Sequence, residues 1–322
     1  MKIAMLVNRD NFETYAPAPP PDWEIVHLGN GKPDAAAVTA TGADVLVVDA
    51  IMKIGSEILE AMPGLKLVHS QGVSYSGIDL EAANRAGIYV CNNAGVNAKP
   101  VAEHTLLLAL ALLKNFRPYE DMVYAGRQME AKTECFRHGL PELNGRTVGI
   151  VGMGAIGQAA AALFRAFGCE VRYHSRTEKP DCGYPYLLLD ALYETSDIVS
   201  LHCPVTPETT GMIGEEALKT MKTGAILLNT ARGELVDQAA VIAALRIGKL
   251  SGFGADTLSP EPVEQDNPFL AALPKELRSR VALSPHVAGI TANCFMRVYG
   301  NIFHNIAAIA RGERPRCVVN GK

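Results

Sequence analysis

Short apolar runs rich in β-branched residues alternate along this chain with longer stretches of helical spacing. The early runs are Ile3 to Val7, Trp23 to Leu28, Ala43 to Asp49 and Leu65 to Ser70, followed by Tyr89–Cys91. Strands that read as nearly continuous apolar runs are covered on both faces, so the alternation predicts βα units around a parallel sheet. Residues 17–21, Pro-Ala-Pro-Pro-Pro, form a rigid connector, because proline lacks the amide donor that a strand or helix interior needs. A loop over 92–97 leads into VAEHTLLLALALLK from Val101. A helix apolar all round must be buried on several sides, which places this one between domains or in a subunit interface.

A second βα series starts at Thr147 and continues with runs from Cys169, Ser196, Gly224, Ser251 and Arg280. Its six runs complete a second doubly wound set. The last segment, Thr291 to Ile309, has helical spacing with no strand after it. A chain of 322 residues exceeds the size at which single cores stop growing, which agrees with two α/β domains.

Composition narrows the partners. Thirty basic and 34 acidic residues leave a formal charge of −4, which offers no reason to expect nucleic acid or an anionic membrane. The seven cysteines contain no CxxC pair, so neither a zinc site nor a disulfide framework is expected, and a reducing compartment suits them. The Lys2–Val7 run is too short for a signal-peptide core, and no segment is long and apolar enough to span a bilayer. The expectation is a cytoplasmic protein acting on a small molecule.

The sequence Gly152-Met153-Gly154-Ala155-Ile156-Gly157 stands between a buried-strand pattern, Thr147 to Val151, and the helix-forming run from Gln158. In that context it reads as a dinucleotide turn. Gly152 permits the turn, Gly154 lets the backbone approach a diphosphate, and Gly157 lets helix pack on strand. The next strand end, where NAD-binding chains carry an acid for the ribose hydroxyl, reads Tyr173-His174-Ser175-Arg176. Nothing anionic there repels a 2′-phosphate, and Ser175 and Arg176 can donate to it, so NADP is expected, with NAD possible.

Three residues further on are candidates for proton transfer and anion binding, although each alone has an ordinary structural reading. His286 in SPH follows a strand and can give the proton, Glu261 in SPEP can fix its tautomer, and Arg232 in NTARG offers a planar fork for a carboxylate. The order of Gly-rich turn, Arg, Glu and His resembles the NAD(P)-dependent D-isomer-specific 2-hydroxyacid dehydrogenases along nearly the whole chain. That resemblance implies a flavodoxin-like substrate domain over 1–99 and 291–322 and a Rossmann domain over 100–290, with a cleft between them on which the three residues converge. It also implies cofactor contacts at His202, Cys203, Pro204, Thr209, Thr230, Ala231, Asp256, His286 and Gly289, with Asp256 accepting from the nicotinamide carboxamide.

By the same resemblance, the loop from Ser70 to Asp79 receives the substrate carboxylate on the amides of Val73 and Ser74, beside Arg232 and His286. Ser74 stands where a second glycine is common and Ser76 where an aspartate is common. The absence of arginine at Ser70 disfavours a phosphorylated substrate. Lys99, in a hinge loop before Pro100, is either a second anion contact or a solvated lysine. The implied activity is reduction of glyoxylate, hydroxypyruvate or a phenylpyruvate-like acid by a homodimer formed through the cofactor domains. A phosphoglycerate dehydrogenase-like NAD enzyme and a cofactor-sensing co-repressor on the same fold are the alternatives.

Overall fold

Each apolar run becomes a strand, and all eleven strands among the described residues pair in parallel. The computed structural model describes residues 1–32 and 34–322. The chain forms two compact units, Met1–Asn97 with Ile290–Lys322, and Ala98–Gly289.

The first unit runs β1 (Lys2–Leu6), α1 (Arg9–Tyr15), β2 (Glu24–His27), α2 (Ala35–Ala40), β3 (Val45–Val48), α3 (Ser56–Leu59), β4 (Leu67–Ser70), α4 (Leu80–Arg85) and β5 (Tyr89–Cys91). The strand order is β2-β1-β3-β4-β5. Every residue of β3 and β4 is buried, as a strand covered on both faces requires. The helices begin where the sequence supplies caps. Asn8, Asp34 and Asp79 each accept from an amide of the first turn that has no partner within the helix.

The second unit opens with α5 (Ala98–Leu113), α6 (Phe116–Tyr124) and α7 (Gln128–His138). Its sheet units are β6 (Thr147–Val151), α8 (Ala155–Ala166), β7 (Glu170–His174), α9 (Leu189–Thr195), β8 (Ile198–Leu201), α10 (Glu215–Thr220), β9 (Ala225–Asn229), α11 (Gln238–Arg246), β10 (Leu250–Ala255), α12 (Pro268–Ala271) and β11 (Val281–Leu283). The order is β11-β10-β9-β8-β6-β7. One face carries Leu192, Leu218, Val241, Leu245 and Phe253, and the other Ala102, Ala109, Ala160, Ala161 and Phe164. The chain then returns to the first unit through α13 (Ala292–Ala310), capped by Thr291, which buries Val298, Tyr299, Ile302 and Ile306 with β1, β3 and β4.

Two expectations about the segment near Val101 change. The helix starts at Ala98, so Lys99 lies in its first turn and not in a loop. Pro100 tolerates this because the first-turn amides have no intrahelical acceptor anyway. The apolar surface of α5 is also taken up largely within its own unit, against α8, β9, β10 and β11. Leu107 remains as an exposed large apolar residue on it.

Candidate active site

All the candidate residues of the second unit sit at the carboxyl ends of strands in one sheet, the edge at which open α/β sheets bind ligands. Gly152–Gly157 follows β6, Ser175 and Arg176 follow β7, and His202, Cys203 and Pro204 follow β8. Thr230, Ala231 and Arg232 follow β9, Asp256 follows β10, and His286 follows β11.

The glycine turn leaves no room for side chains where the backbone closes on itself. A Cβ on Gly152, whose φ is 99°, would lie 2.7 Å from backbone atoms of His202 and Cys203. One on Gly157 would collide with the Gly152 carbonyl oxygen, whereas one on Gly154 would meet nothing within 4 Å. The surface over Gly154 is thus open bare backbone at the start of α8, with the first-turn amides of Ala155 and Ile156 beside it and Met153 buried below. Those residues fit a diphosphate. No group of acidic, histidine and cysteine side chains that could hold a metal occurs among the described residues.

Beyond β7, the His174 ring bonds through Nδ1 to the Leu187 carbonyl at 3.0 Å and tilts against Tyr186. Ser175 Oγ donates to the Thr177 carbonyl at 2.7 Å, and Arg176 is exposed. Glu208 is close enough to Arg176 for the cation to help lower its carboxyl, although the Thr206 hydroxyl does more. After β8, His202 Nε2 bonds Ser200 Oγ at 2.8 Å while Nδ1 is buried without a partner. Burial pushes this imidazole down to about 4, so it is neutral. Burial likewise raises the Cys203 thiol to about 11. Thr209 Oγ1 donates to the Pro204 carbonyl at 2.8 Å and accepts from the Thr206 amide at 2.7 Å, closing that turn.

The turn after β9 is built by buried Asn229, whose side chain accepts from the Ala231 amide at 3.1 Å and donates to the Arg232 carbonyl at 2.8 Å. The Arg232 side chain is exposed and gives one Nη1 bond to the Ala231 carbonyl at 2.7 Å, with no acidic partner among the described residues. Gly233 follows because a Cβ would strike the backbone of Leu258 and Ser259. Glu261 and His286 meet: His286 Nδ1 lies 2.8 Å from Glu261 Oε2, both about half exposed. His286 has φ 57°, a left-handed conformation unusual for a non-glycine residue. Its amide donates to the Asp256 carbonyl at 2.8 Å. Both oxygens of the buried Asp256 carboxylate are occupied as well, by the Val287 and Ala288 amides and by the Ser284 hydroxyl. Gly289 ends this turn.

In the first unit, the loop after β4 is shaped by two residues that sequence reasoning had left unassigned. Asn93 Nδ2 donates to the carbonyls of Ser70 and Gln71, its amide donates to that of Gly72, and Asn92 Nδ2 donates to that of Val73 at 2.7 Å. Four successive carbonyls are pinned on one side. The amides of Val73 and Ser74 have no acceptor among the described residues. A pair of asparagines directly after a strand, opposite a serine- and glycine-rich loop, was the available signal.

The D-isomer specific 2-hydroxyacid dehydrogenase NAD binding domain model matches residues 106–288. A glyoxylate reductase of Thermococcus litoralis is 38% identical over 285 residues, covering 86% of this chain and 83% of that protein. One of Aeropyrum pernix is 36% identical over 288 residues, covering 87% and 84%. Among solved structures, a D-2-hydroxyisocaproate dehydrogenase superposes with a TM-score of 0.83 at 28% identity over the whole of both chains. With family model, relatives and geometry in agreement, the chain belongs to the D-isomer specific 2-hydroxyacid dehydrogenases and is an NAD(P)-dependent enzyme of that family.

Proposed function

We propose that this enzyme reduces a small 2-oxo acid, glyoxylate or hydroxypyruvate before larger ones, with NADPH as the preferred cofactor. The observation that carries the reading is the 2.8 Å contact of His286 Nδ1 with Glu261 Oε2. With Nδ1–H committed to the carboxylate, the opposite nitrogen, Nε2, is the atom that gives its proton to the developing alkoxide. Glu261 holds that tautomer and stabilises the imidazolium. Arg232, with most of its fork unengaged, holds the substrate carboxylate and the charge growing on the carbonyl oxygen. In the first unit, taken by itself, the amides of Val73 and Ser74 have no acceptor among the described residues and are available to a carboxylate. A bound nicotinamide supplies the hydride for C2, seated by the glycine turn and by contacts from His202 to Pro204, Thr209, Thr230, Ala231 and Gly289, while Asp256, expected to accept from the carboxamide, holds the His286 turn instead.

The names of the most similar relatives, glyoxylate reductases, support the small substrate. Preference for NADPH rests on exposed Arg176 and on the absence of a carboxylate at His174. Turnover of glyoxylate, hydroxypyruvate, phenylpyruvate and 3-phosphohydroxypyruvate with NADPH and NADH tests both points. Faster turnover of the phosphorylated acid, or a preference for NADH, would overturn the corresponding half.

The homodimer expectation also moves from α5 to its neighbours. Phe116, Val123, Tyr124, Met129 and Phe136 on α6 and α7 are exposed, Tyr124 by 84% and Phe136 by 81%. Consecutive helices with so much uncovered apolar surface suit a second copy of this chain.

A further inference from the structure

Two adjacent residues of α5 reach the strand ends that carry Arg232 and His286. His104 Nε2 lies 2.7 Å from Ser284 Oγ, two positions before His286, and Thr105 Oγ1 lies 2.8 Å from Thr230 Oγ1, two positions before Arg232. The hydrogens in both bonds have one sensible arrangement. Ser284 Oγ donates its single proton to Asp256 Oδ1 at 2.6 Å, because a carboxylate offers only acceptors, so the serine oxygen must accept from His104 Nε2–H. Thr105 Oγ1 donates to the Val101 carbonyl at 2.8 Å, so Thr230 donates to Thr105.

We propose that His104 and Thr105 are positioning residues for the two halves of the chemistry. His104 acts through Ser284 and Asp256 on the His286 turn, and Thr105 acts through Thr230 on the Arg232 turn. The proposal deepens the reductase reading and rests on it. Asp256 is the pivot of the first arm. Its carboxylate receives the Val287 and Ala288 amides and its carbonyl the His286 amide, so three consecutive amides of the turn are fixed on one buried residue. That grip holds His286 at φ 57°, where Nδ1 reaches Glu261. The oxygen that receives the Val287 amide, Oδ1, also accepts from Ser284, which His104 orients. His104 Nε2 is also 3.6 Å from Asp256 Oδ1, so the ring lies beside the carboxylate as well as the serine. In the second arm, the buried threonine pair fixes the end of β9, and Asn229 carries that restraint into the Arg232 turn.

The two arms predict different kinetic signatures from neighbouring positions on one helix, kcat alone at His104 and KM with kcat at Thr105, which a packing role would not give. Ser284→Ala and His104→Leu lower kcat tenfold or more with KM for the 2-oxo acid within about twofold, since the proton donor is misplaced and the carboxylate site is intact. Thr105→Val raises KM severalfold and lowers kcat with it, since a displaced Arg232 loses both the carboxylate and the developing charge. Ser284→Thr and Thr105→Ser recover most of each loss. Parallel changes in kcat and KM at both positions, parent-like kinetics, or no recovery in the conservative variants would overturn the proposal. A second readout needs no turnover. In full-length protein with ¹⁵N-labelled histidine, His104 carries its proton on Nε2, and Ser284→Ala shifts the His286 ring signals while Ser284→Thr leaves them in place. An Nδ1–H tautomer at His104, or unmoved His286 signals in Ser284→Ala, refutes the relay even if the parent enzyme turns over none of the acids tried. That last result by itself sinks only the reductase reading.

Discussion

At His286 the backbone accepts a left-handed conformation that puts its ring beside Glu261. Replacing it with alanine removes the proton donor but not the carboxylate-binding fork, so kcat falls by about 10²–10⁴-fold while KM changes little. Arg232→Ala has the other signature, a large rise in KM together with a loss of kcat, because the same guanidinium holds the carboxylate and the developing charge. Steady-state kinetics on one 2-oxo acid distinguishes the two, and full activity in either variant removes that residue from the mechanism. The proposed preference for NADPH has its own test at Arg176. Under that proposal, loss of a charge-assisted bond to the 2′-phosphate is expected to leave Arg176→Ala roughly tenfold to a hundredfold poorer in kcat/KM with NADPH and nearly unchanged with NADH. An equal loss with both cofactors would mean that Arg176 reads something other than the phosphate.

Among the elements, the β6–α8 turn has the least tolerance. Gly157→Ala sets a methyl against the Gly152 carbonyl, so either the turn opens or the helix shifts, at a cost of about 1–3 kcal/mol. The expected outcome is a lower melting temperature and weaker NADPH binding by fluorescence titration. Unchanged binding would mean that the turn is not the diphosphate seat. The α6–α7 pair behaves differently, since nothing in its own unit needs its outer face. Tyr124→Asp with Phe136→Asp leaves the fold intact, as seen by circular dichroism, but shifts sedimentation from dimer to monomer. A parent protein that already sediments as a monomer at micromolar concentration excludes the dimer. Short continuous apolar runs identified the strands, and period-3.6 spacing identified α13. It did not separate α5 as a core helix from α5 as an interface helix, because either site demands an apolar surface.

For the molecule as a whole, the buried imidazoles set acid sensitivity. His69 in β4 is fully buried, with Nδ1 2.8 Å from the Ser70 carbonyl and Nε2 3.0 Å from Asn305 Nδ2 on α13, and burial pushes it down to about 4. The unfolded chain takes up a proton below about 6.5 that the folded chain refuses until about 4. The contribution to stability is complete above pH 6.5, falls through that window and levels off below it, roughly 3 kcal/mol in all. Urea unfolding across that range should show the slope, and His69→Gln should reduce it by about half, since buried His202 carries the same shift. An equal slope in the variant would assign the effect to other groups.

Residue type and local order determined the strands and the glycine turn, because buried strands must be apolar and backbone that closes tightly needs glycine, whereas the Arg, Glu and His candidates stood out only by their order and spacing in a known family's pattern. Their partners were decided only by folding. Asp256 had an obvious reading as a ligand contact, yet its oxygens are filled by Ser284, Val287 and Ala288, groups 28 to 32 positions away. His104 and Ser284 are 180 positions apart, and Asn93 pins carbonyls 22 and 23 positions earlier. Such bonds leave no periodic trace, since one polar side chain at the end of a strand looks the same whether it faces water or a carbonyl brought alongside by the neighbouring strand. The sequence therefore specified which groups could do the chemistry, and tertiary packing decided what holds each of them in place.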